Sequence, residues 1–269
     1  MTPQKFRTLV FAHYKREGRH TLPWRQTQDP YNILVSETML QQTQVERVIP
    51  YYLTFIETFP TVTDLAKAPL SEVLRLWQGL GYNRRAKYLR DAAQAIVAHH
   101  GGVFPDTPEA LQALPGVGPY TARAVCAFSF NTDVVCIETN IRTAVLHHFF
   151  CDKEQVSDAE ILAILEKAFP KGRSREWYAA LMDYGAHLKR TGKSLNTKSK
   201  TYTKQKPFKG SLREIRGNIL RTLANAPQTK NSLRALFPED RTQEVDAVLD
   251  ALVAEGLLKR SKAKYALAD

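Results

Sequence analysis

The sequence predicts an all-α protein up to about residue 188, then a basic linker over 189–210 and a small helical unit ending in a β-hairpin over 211–269. Three observations lead there. Apolar residues recur at helical spacing through most of the chain, and alternating strand patterns are nearly absent before residue 250. Composition then breaks sharply at Lys189, where apolar residues thin out and cations accumulate. Finally, the last stretch shows three short helical patterns followed by a hairpin pattern.

Taken in order, Phe6, Leu9, Val10 and Tyr14 mark a first amphipathic helix. Ile33, Val35, Met39 and Val45 mark a second, and Val73, Leu76 and Trp77 a third. Further helices are predicted over Ala86–Ala98, Tyr120–Phe130, Asn140–Phe149, Asp158–Ala168 and Arg175–Leu188. Prolines at 23, 30, 50, 60, 69, 105, 108, 115 and 170 fall near their boundaries. Residues 189–210 hold eight Lys/Arg and no acidic residue. Such a segment cannot bury a core, and reads either as a flexible linker or as a loop ordered by a polyanion. Beyond it, Ile215, Ile219, Leu220 and Leu223 predict one helix, Ser232–Phe237 a short second, and Val245, Val248, Leu249 and Leu252 a third. With the hairpin after Gly256, this is the winged-helix pattern, a helix-turn-helix variant.

The charge balance concerns partners rather than fold. Thirty-eight Lys+Arg against 27 Asp+Glu give +11, of which the linker carries +8 and the rest of the chain +3. A basic excess points to nucleic acid or an anionic membrane. No apolar run reaches the roughly 18 residues of a membrane span, and the N-terminus lacks a secretory apolar core. Nucleic acid is therefore the expected partner. Cys126, Cys136 and Cys151 lie in apolar or helical stretches without CxxC spacing, and read as buried structural thiols of an intracellular protein.

The strongest local signal is LPGVGPYTA at 114–122. Gly116 and Gly118 permit a tight hairpin whose backbone N–H groups, with Val117 between them, point outward. A helix starts immediately afterwards, so its positive end faces the same place. That combination suits a DNA phosphate and carries no side chain that reads sequence.

At this point the chain resembles the helix-hairpin-helix (HhH-GPD) base-excision DNA glycosylases, and within them the adenine-removing branch. The resemblance covers about residues 1–188. It is carried by TLPWR (21–25), SETMLQQTQVERVIPYY (36–52), FPTVTDLAKAPLSEVLRLWQGLGYNRRAKYL (59–89), LPGVGPYTARAV (114–125) and MDYGA (182–186). It implies a two-lobed glycosylase fold, acting as a monomer in the cytoplasm, in association with the nucleoid, on double-stranded DNA that holds a mispair or lesion.

The chemistry such a reaction needs can be matched to residues. A purine leaves deoxyribose slowly because the departing anion is poor and the sugar becomes an oxocarbenium cation. A catalyst therefore supplies an acid for the base and a negative charge near C1′. Glu37 matches the family's general acid, and it lies in the uncharged, largely apolar stretch from Tyr31 to Val45, where burial raises a carboxyl's pKa. Tyr120 stands where bifunctional relatives resembling endonuclease III place a lysine. A phenol forms no Schiff base, so simple base removal is implied. Gln42 and Tyr82 match the residues that wedge into the duplex and offset unstacking; read without the resemblance, Tyr82 is a half-buried core aromatic and Gln42 a helix-surface residue. By resemblance Trp24 and Arg25 line the base pocket, while Thr43, Thr121, Lys189 and Arg190 join the hairpin in contacting DNA.

Three departures from the family bear on activity. Glu138 takes the place of an essential aspartate, with Asn140 two residues on. The added methylene moves the carboxylate by about one bond length, and displacements of that order can cost roughly 100-fold in rate. Second, the four-cysteine iron–sulfur loop is replaced by Lys189 and the basic linker, so no thiolate-held cluster is expected there; the resemblance leaves room for a monovalent cation at the hairpin. Third, nothing resembles the family's 8-oxoguanine-reading domain. In the unit that replaces it, the third helix carries Glu244, Asp246, Asp250 and Glu255, and the hairpin Lys259, Arg260, Lys262 and Lys264. That unit is open to DNA binding, to protein contact or to packing on the first domain. The leading expectation is excision of adenine opposite guanine or 8-oxoguanine. The alternatives are another mispaired or deaminated base, or a damage-binding protein with weakened catalysis.

Overall fold

Helix ends in this chain are set by small, identifiable devices. Thr2 caps the first helix by accepting a bond from the Lys5 amide, with Pro3 at its first position. Ser157 and Glu160 form a reciprocal capping box, as do Thr61 and Asp64. The computed structural model describes residues 1–204, 207–261 and 263–269, so Lys262 of the C-terminal hairpin and Lys206 of the basic stretch lie outside the described residues.

Fourteen α-helices follow one another among the described residues: α1 (Pro3–Glu17), α2 (Pro30–Leu40), α3 (Val45–Thr58), α4 (Val62–Lys67), α5 (Leu70–Leu76), α6 (Arg84–His100), α7 (Pro108–Gln112), α8 (Pro119–Val125), α9 (Thr139–Phe149), α10 (Asp158–Ala168), α11 (Ser174–Arg190), α12 (Leu212–Asn225), α13 (Lys230–Arg234) and α14 (Thr242–Ala254). Three short strands, β1 (Gln228–Thr229), β2 (Leu258–Ser261) and β3 (Lys264–Leu267), form one antiparallel sheet in the order β1-β3-β2. None of the described helices is long and apolar enough to cross a membrane.

The chain divides into two units. The first comprises Met1–Glu37, Pro105–Ala113 and Gly118–Lys204. Its core sets Phe6 of α1 edge-on against Trp177 of α11 (6.1 Å between ring centres) and Phe149 of α9 (5.3 Å). Helices α9 and α11 cross at very short range. A Cβ on Gly185 would lie 2.0 Å from the Asn140 carbonyl oxygen, so only glycine permits this approach.

The second unit comprises Thr38–Phe104, Leu114–Val117 and Gln205–Asp269. Phe55, Phe59 and Trp77 cluster between α3 and α5, with α4 packed on α6. The C-terminal elements belong to this unit: α12 lies on α5, where Arg75 Nε donates to the Ala224 carbonyl (3.0 Å), and Tyr265 of β3 is buried.

Several elements differ from the sequence expectation. Val45 does not continue the second helix. The chain turns over Gln41–Gln44, and Val45 opens α3. Pro50 sits inside α3 rather than at an end, tolerated because Val48, Tyr52 and Phe55 bury that helix's apolar face. The helix expected over Tyr120–Phe130 is α-helical only to Val125. Cys126–Phe130 form a π turn, whose carbonyls at Phe128 and Ser129 are taken up by the Arg175 guanidinium (2.6 and 2.8 Å). The short helix expected at Ser232–Phe237 starts earlier, at Lys230, because Thr229 caps it. Cys126 and Cys136 are buried, but Cys151 is exposed in the turn after α9.

The basic stretch differs as well. Lys189 and Arg190 complete α11, and the chain to Lys204 belongs to the first unit and bonds to it. Val156 and Ser199 form a parallel bridge, the Thr143 hydroxyl donates to Asn196 Oδ1 (3.0 Å), and Lys198 donates to the Cys151 carbonyl (2.7 Å) and pairs with Glu154 (2.8 Å). Hydrogen bonding substitutes there for the apolar burial that the composition cannot supply.

Candidate active site

In the first unit, three helices bring Glu37, Tyr120 and Glu138 within electrostatic range of one another. Glu37 lies near the end of α2, whose residues Ile33, Leu34, Val35 and Met39 are all buried. Because its neighbours are apolar, the Glu37 side chain has little water to stabilise its charge. Burial pushes its carboxyl up to about 7 against the donating Tyr120 hydroxyl, and the negative charge of Glu138 pushes the same way. Tyr120, in the first turn of α8, is held well above the ordinary phenol value by burial and by the two carboxyls.

Glu138 caps α9. Its Oε1 accepts from the backbone amides of Asn140 (2.7 Å) and Ile141 (2.8 Å), and its Oε2 accepts from Asn140 Nδ2 (3.2 Å). A glutamate reaches the two amides by adopting fully extended backbone at the cap position. Burial raises its carboxyl, while the two amide bonds and the Lys189 ammonium pull it back toward the charged form. The longer side chain is thus accommodated by folding back onto its own helix end.

Lys189, in the last turn of α11, donates to Asn140 Oδ1 (2.8 Å). The row Lys189–Asn140–Glu138 therefore links α11 to the cap of α9. This stretch does not fit a thiolate-held cluster: residues 189–204 contain no cysteine, and the Lys189 amine is bonded to the Asn140 amide.

Arg25 lies beside this set, with its guanidinium gripped by Asp183 in a two-point pair (2.7 and 2.9 Å). Arg19 adds a third bond to the same carboxylate (2.7 Å), which the two arginines hold below the usual carboxylate range against the effect of burial. Trp24 is buried next to Arg25. Arg190 is exposed at the end of α11.

Gln42, Thr43, Tyr82 and the hairpin residues Leu114–Val117 belong to the second unit, whereas Gly118 and Thr121 belong to the first. Gln42 and Tyr82 are both exposed, and both adopt left-handed backbone, at φ 59° and 48°. Neither is a core aromatic nor a residue on a helix surface. The Tyr82 hydroxyl donates to Gln42 Oε1 (3.4 Å) and accepts from Arg213 Nη1 of α12 (3.2 Å). The Thr43 hydroxyl donates to the Gln41 carbonyl (3.3 Å). In the hairpin, Pro115 and Gly116 are exposed, but the Val117 side chain is buried and its amide donates to the Leu114 carbonyl (3.2 Å). Gly116 needs its φ of +70°, and a Cβ there would meet Tyr88 at 2.4 Å. Thr121 is buried in α8, so its side chain faces inward.

The family model for HhH-GPD superfamily base excision DNA repair proteins matches residues 35–171. The chain belongs to that superfamily. Adenine DNA glycosylase of Mycolicibacterium smegmatis is 35% identical to this HhH-GPD chain over 273 residues, covering 93% of the chain and 92% of the relative. Adenine DNA glycosylase of Buchnera aphidicola is 33% identical over 237 residues, and there the match takes in 86% of this chain but only 66% of the relative. Among solved structures, a thermostable thymine-DNA glycosylase superposes with a TM-score of 0.61 at 27% identity, over 68% of this chain and 86% of that one.

Asp183 and Gly185, in the MDYGA phrase, and Arg85, in the 59–89 phrase, are not among the expected site residues. Asp183 was findable from a lone acid in the apolar MDYGA phrase, and Gly185 from its position inside a helix. The placement of Lys189 gave no signal, since its charge sits in a run of similar charges.

Proposed function

We propose that this protein is a monofunctional DNA glycosylase that removes adenine from a mispair with guanine or 8-oxoguanine. The reading is carried by the buried Glu37 carboxyl, whose pKa near 7 lies beside a second, helix-capping carboxylate at Glu138. An acid with that pKa is substantially protonated at neutral pH and can give its proton to a ring nitrogen of the base. The bond from C1′ to the base then breaks with its electron pair leaving on the now neutral purine. The charge of Glu138, fixed by two backbone amides, stabilises the cation left on the sugar. Water adds to C1′ and its proton passes to Glu37, which restores the acid. Tyr120 offers no amine for a Schiff base, so the strand is left uncut. The adenine specificity is supported by relatives named adenine DNA glycosylases in bacteria and mammals.

Gln42 and Tyr82 serve in this reading as the wedge that fills the space of the extruded base, Trp24 and Arg25 line its pocket, and the hairpin at Gly116–Gly118 takes a phosphate. Residues 211–269 form a winged-helix unit in this reading, supported by α12–α14 together with the β1-β3-β2 sheet, whose first strand lies between α12 and α13. Its third helix pairs off its acids internally, Asp246 with Arg234 and Lys230, and Glu244 with Arg241 (2.6 Å).

The test is single-turnover base release from a panel of duplexes carrying adenine, thymine or deaminated bases in mispairs, for the wild type, Glu37→Gln and Glu138→Asp. Adenine release that Glu37→Gln abolishes is the expected result. Tight binding without release from any duplex would leave a damage-binding protein, and a borohydride-trapped adduct would refute the monofunctional reaction.

A further inference from the structure

Arg85 is a buried cation whose bonds all run to neutral groups. Its Nη1 donates to the carbonyls of Thr38 (2.6 Å), Met39 (2.9 Å) and Gln41 (2.8 Å). Its Nη2 donates to the carbonyls of Leu80 (3.2 Å) and Gly81 (3.1 Å) and to the Thr43 hydroxyl (3.4 Å). The guanidinium lies 5.4 Å from the Trp77 ring centre and 5.7 Å from that of Tyr82. No carboxylate pairs with it among the described residues, and burial draws its pKa down to about 10. A buried charge without a counter-charge is expensive, so an apolar side chain would be the cheaper way to fill this space.

The acceptors explain why a guanidinium stands there. One group of them ends α2 and forms the turn before α3, the turn that carries Gln42. The other group immediately precedes Tyr82. Both residues sit in left-handed backbone, which is strained for a side chain and persists only where the surroundings enforce it. A planar fork with donors on two sides can bind both turns at once, whereas an ammonium cannot.

We infer that Arg85 is the positioning residue of the duplex wedge: it ties the Gln42 and Tyr82 turns together and holds both side chains ready before DNA arrives. It touches no DNA itself. The inference rests on the reading of Gln42 and Tyr82 as the wedge.

The test compares Arg85→Lys with the wild type on two duplexes. One carries an adenine mispair, which requires base extrusion; the other carries a stable abasic-site analogue, which does not. Arg85→Lys is expected to lower the single-turnover rate on the mispair at least about tenfold, as for a lost positioning contact. Affinity for the abasic duplex is expected to stay within about twofold. Equal losses on both duplexes, or no loss on either, would overturn the inference. Should Arg85→Lys fail to fold, amide exchange in the wild type decides: residues 41–44 and 80–83 are expected to be protected without DNA, and protection that appears only on DNA binding would overturn it. Tyr82→Ala and Gln42→Ala serve as the control arm. If they leave base extrusion intact, the wedge reading itself falls; if they impair it and Arg85→Lys does not, only the role of Arg85 falls.

Discussion

Replacing Glu37 by glutamine should make the protein more stable, and by an amount that depends on pH in a defined way. Glu37 is raised from an ordinary 4.5 to about 7 by burial. Ionising it inside the fold therefore costs about 3 kcal/mol more than ionising it in the unfolded chain. The sign follows from the protons bound. Below 4.5 both states hold the proton and the group contributes no penalty. Between 4.5 and 7 the unfolded chain releases it while the folded protein retains it, so stability falls as pH rises. Above about 7 the whole penalty is present. Glutamine keeps the shape and never ionises. Urea unfolding of the wild type and Glu37→Gln should give curves that nearly coincide at about pH 4 and separate by about 3 kcal/mol, in favour of the variant, by about pH 8. A difference independent of pH would show that the carboxyl is not buried as described, and would remove the physical basis for its role as an acid.

Three further outcomes follow from the same geometry. The rate of base release should fall as pH rises through about 7, and Tyr120→Phe should move that fall to higher pH, because the lost hydroxyl bond no longer favours the carboxylate; a pH–rate profile of each checks this. Gly185→Ala should lower stability by about 1–3 kcal/mol in thermal unfolding, since its methyl would lie 2.0 Å from the Asn140 carbonyl, and the same displacement of Asn140 should reduce turnover. Gly116→Ala should weaken DNA binding, measured by fluorescence anisotropy, and cost about 1–2 kcal/mol in stability, because a left-handed residue there meets the Tyr88 side chain.

The helical architecture was legible because long amphipathic periods dominate the chain. Helices α9, α10 and α11 come within two residues of their expected bounds. Where the reading missed, a tertiary contact had decided the backbone. Arg85 ends α2 early by taking its last carbonyls, and Arg175 supports the π turn after α8; neither leaves a trace in local periodicity. At the candidate site, an acid in an apolar run is a signal a sequence can carry, so the burial of Glu37 could be read from its neighbours. Lys189 could not be read in that way. Its partner Asn140 is far away in sequence, and only the close crossing of α9 and α11 brings the two together.

The left-handed turns at Gln42 and Tyr82 also bear on how such a protein would search a genome. A wedge that forms only after a lesion is found lets the protein slide smoothly over intact duplex and spends time only at stops. A wedge already set by folding, as we infer for the turns held by Arg85, would meet every base step during sliding. Each step then becomes a brief trial of how readily that base pair opens. Weakly paired steps would hold the protein longer than sound ones, so discrimination would begin in the residence time on DNA, before any base enters the pocket.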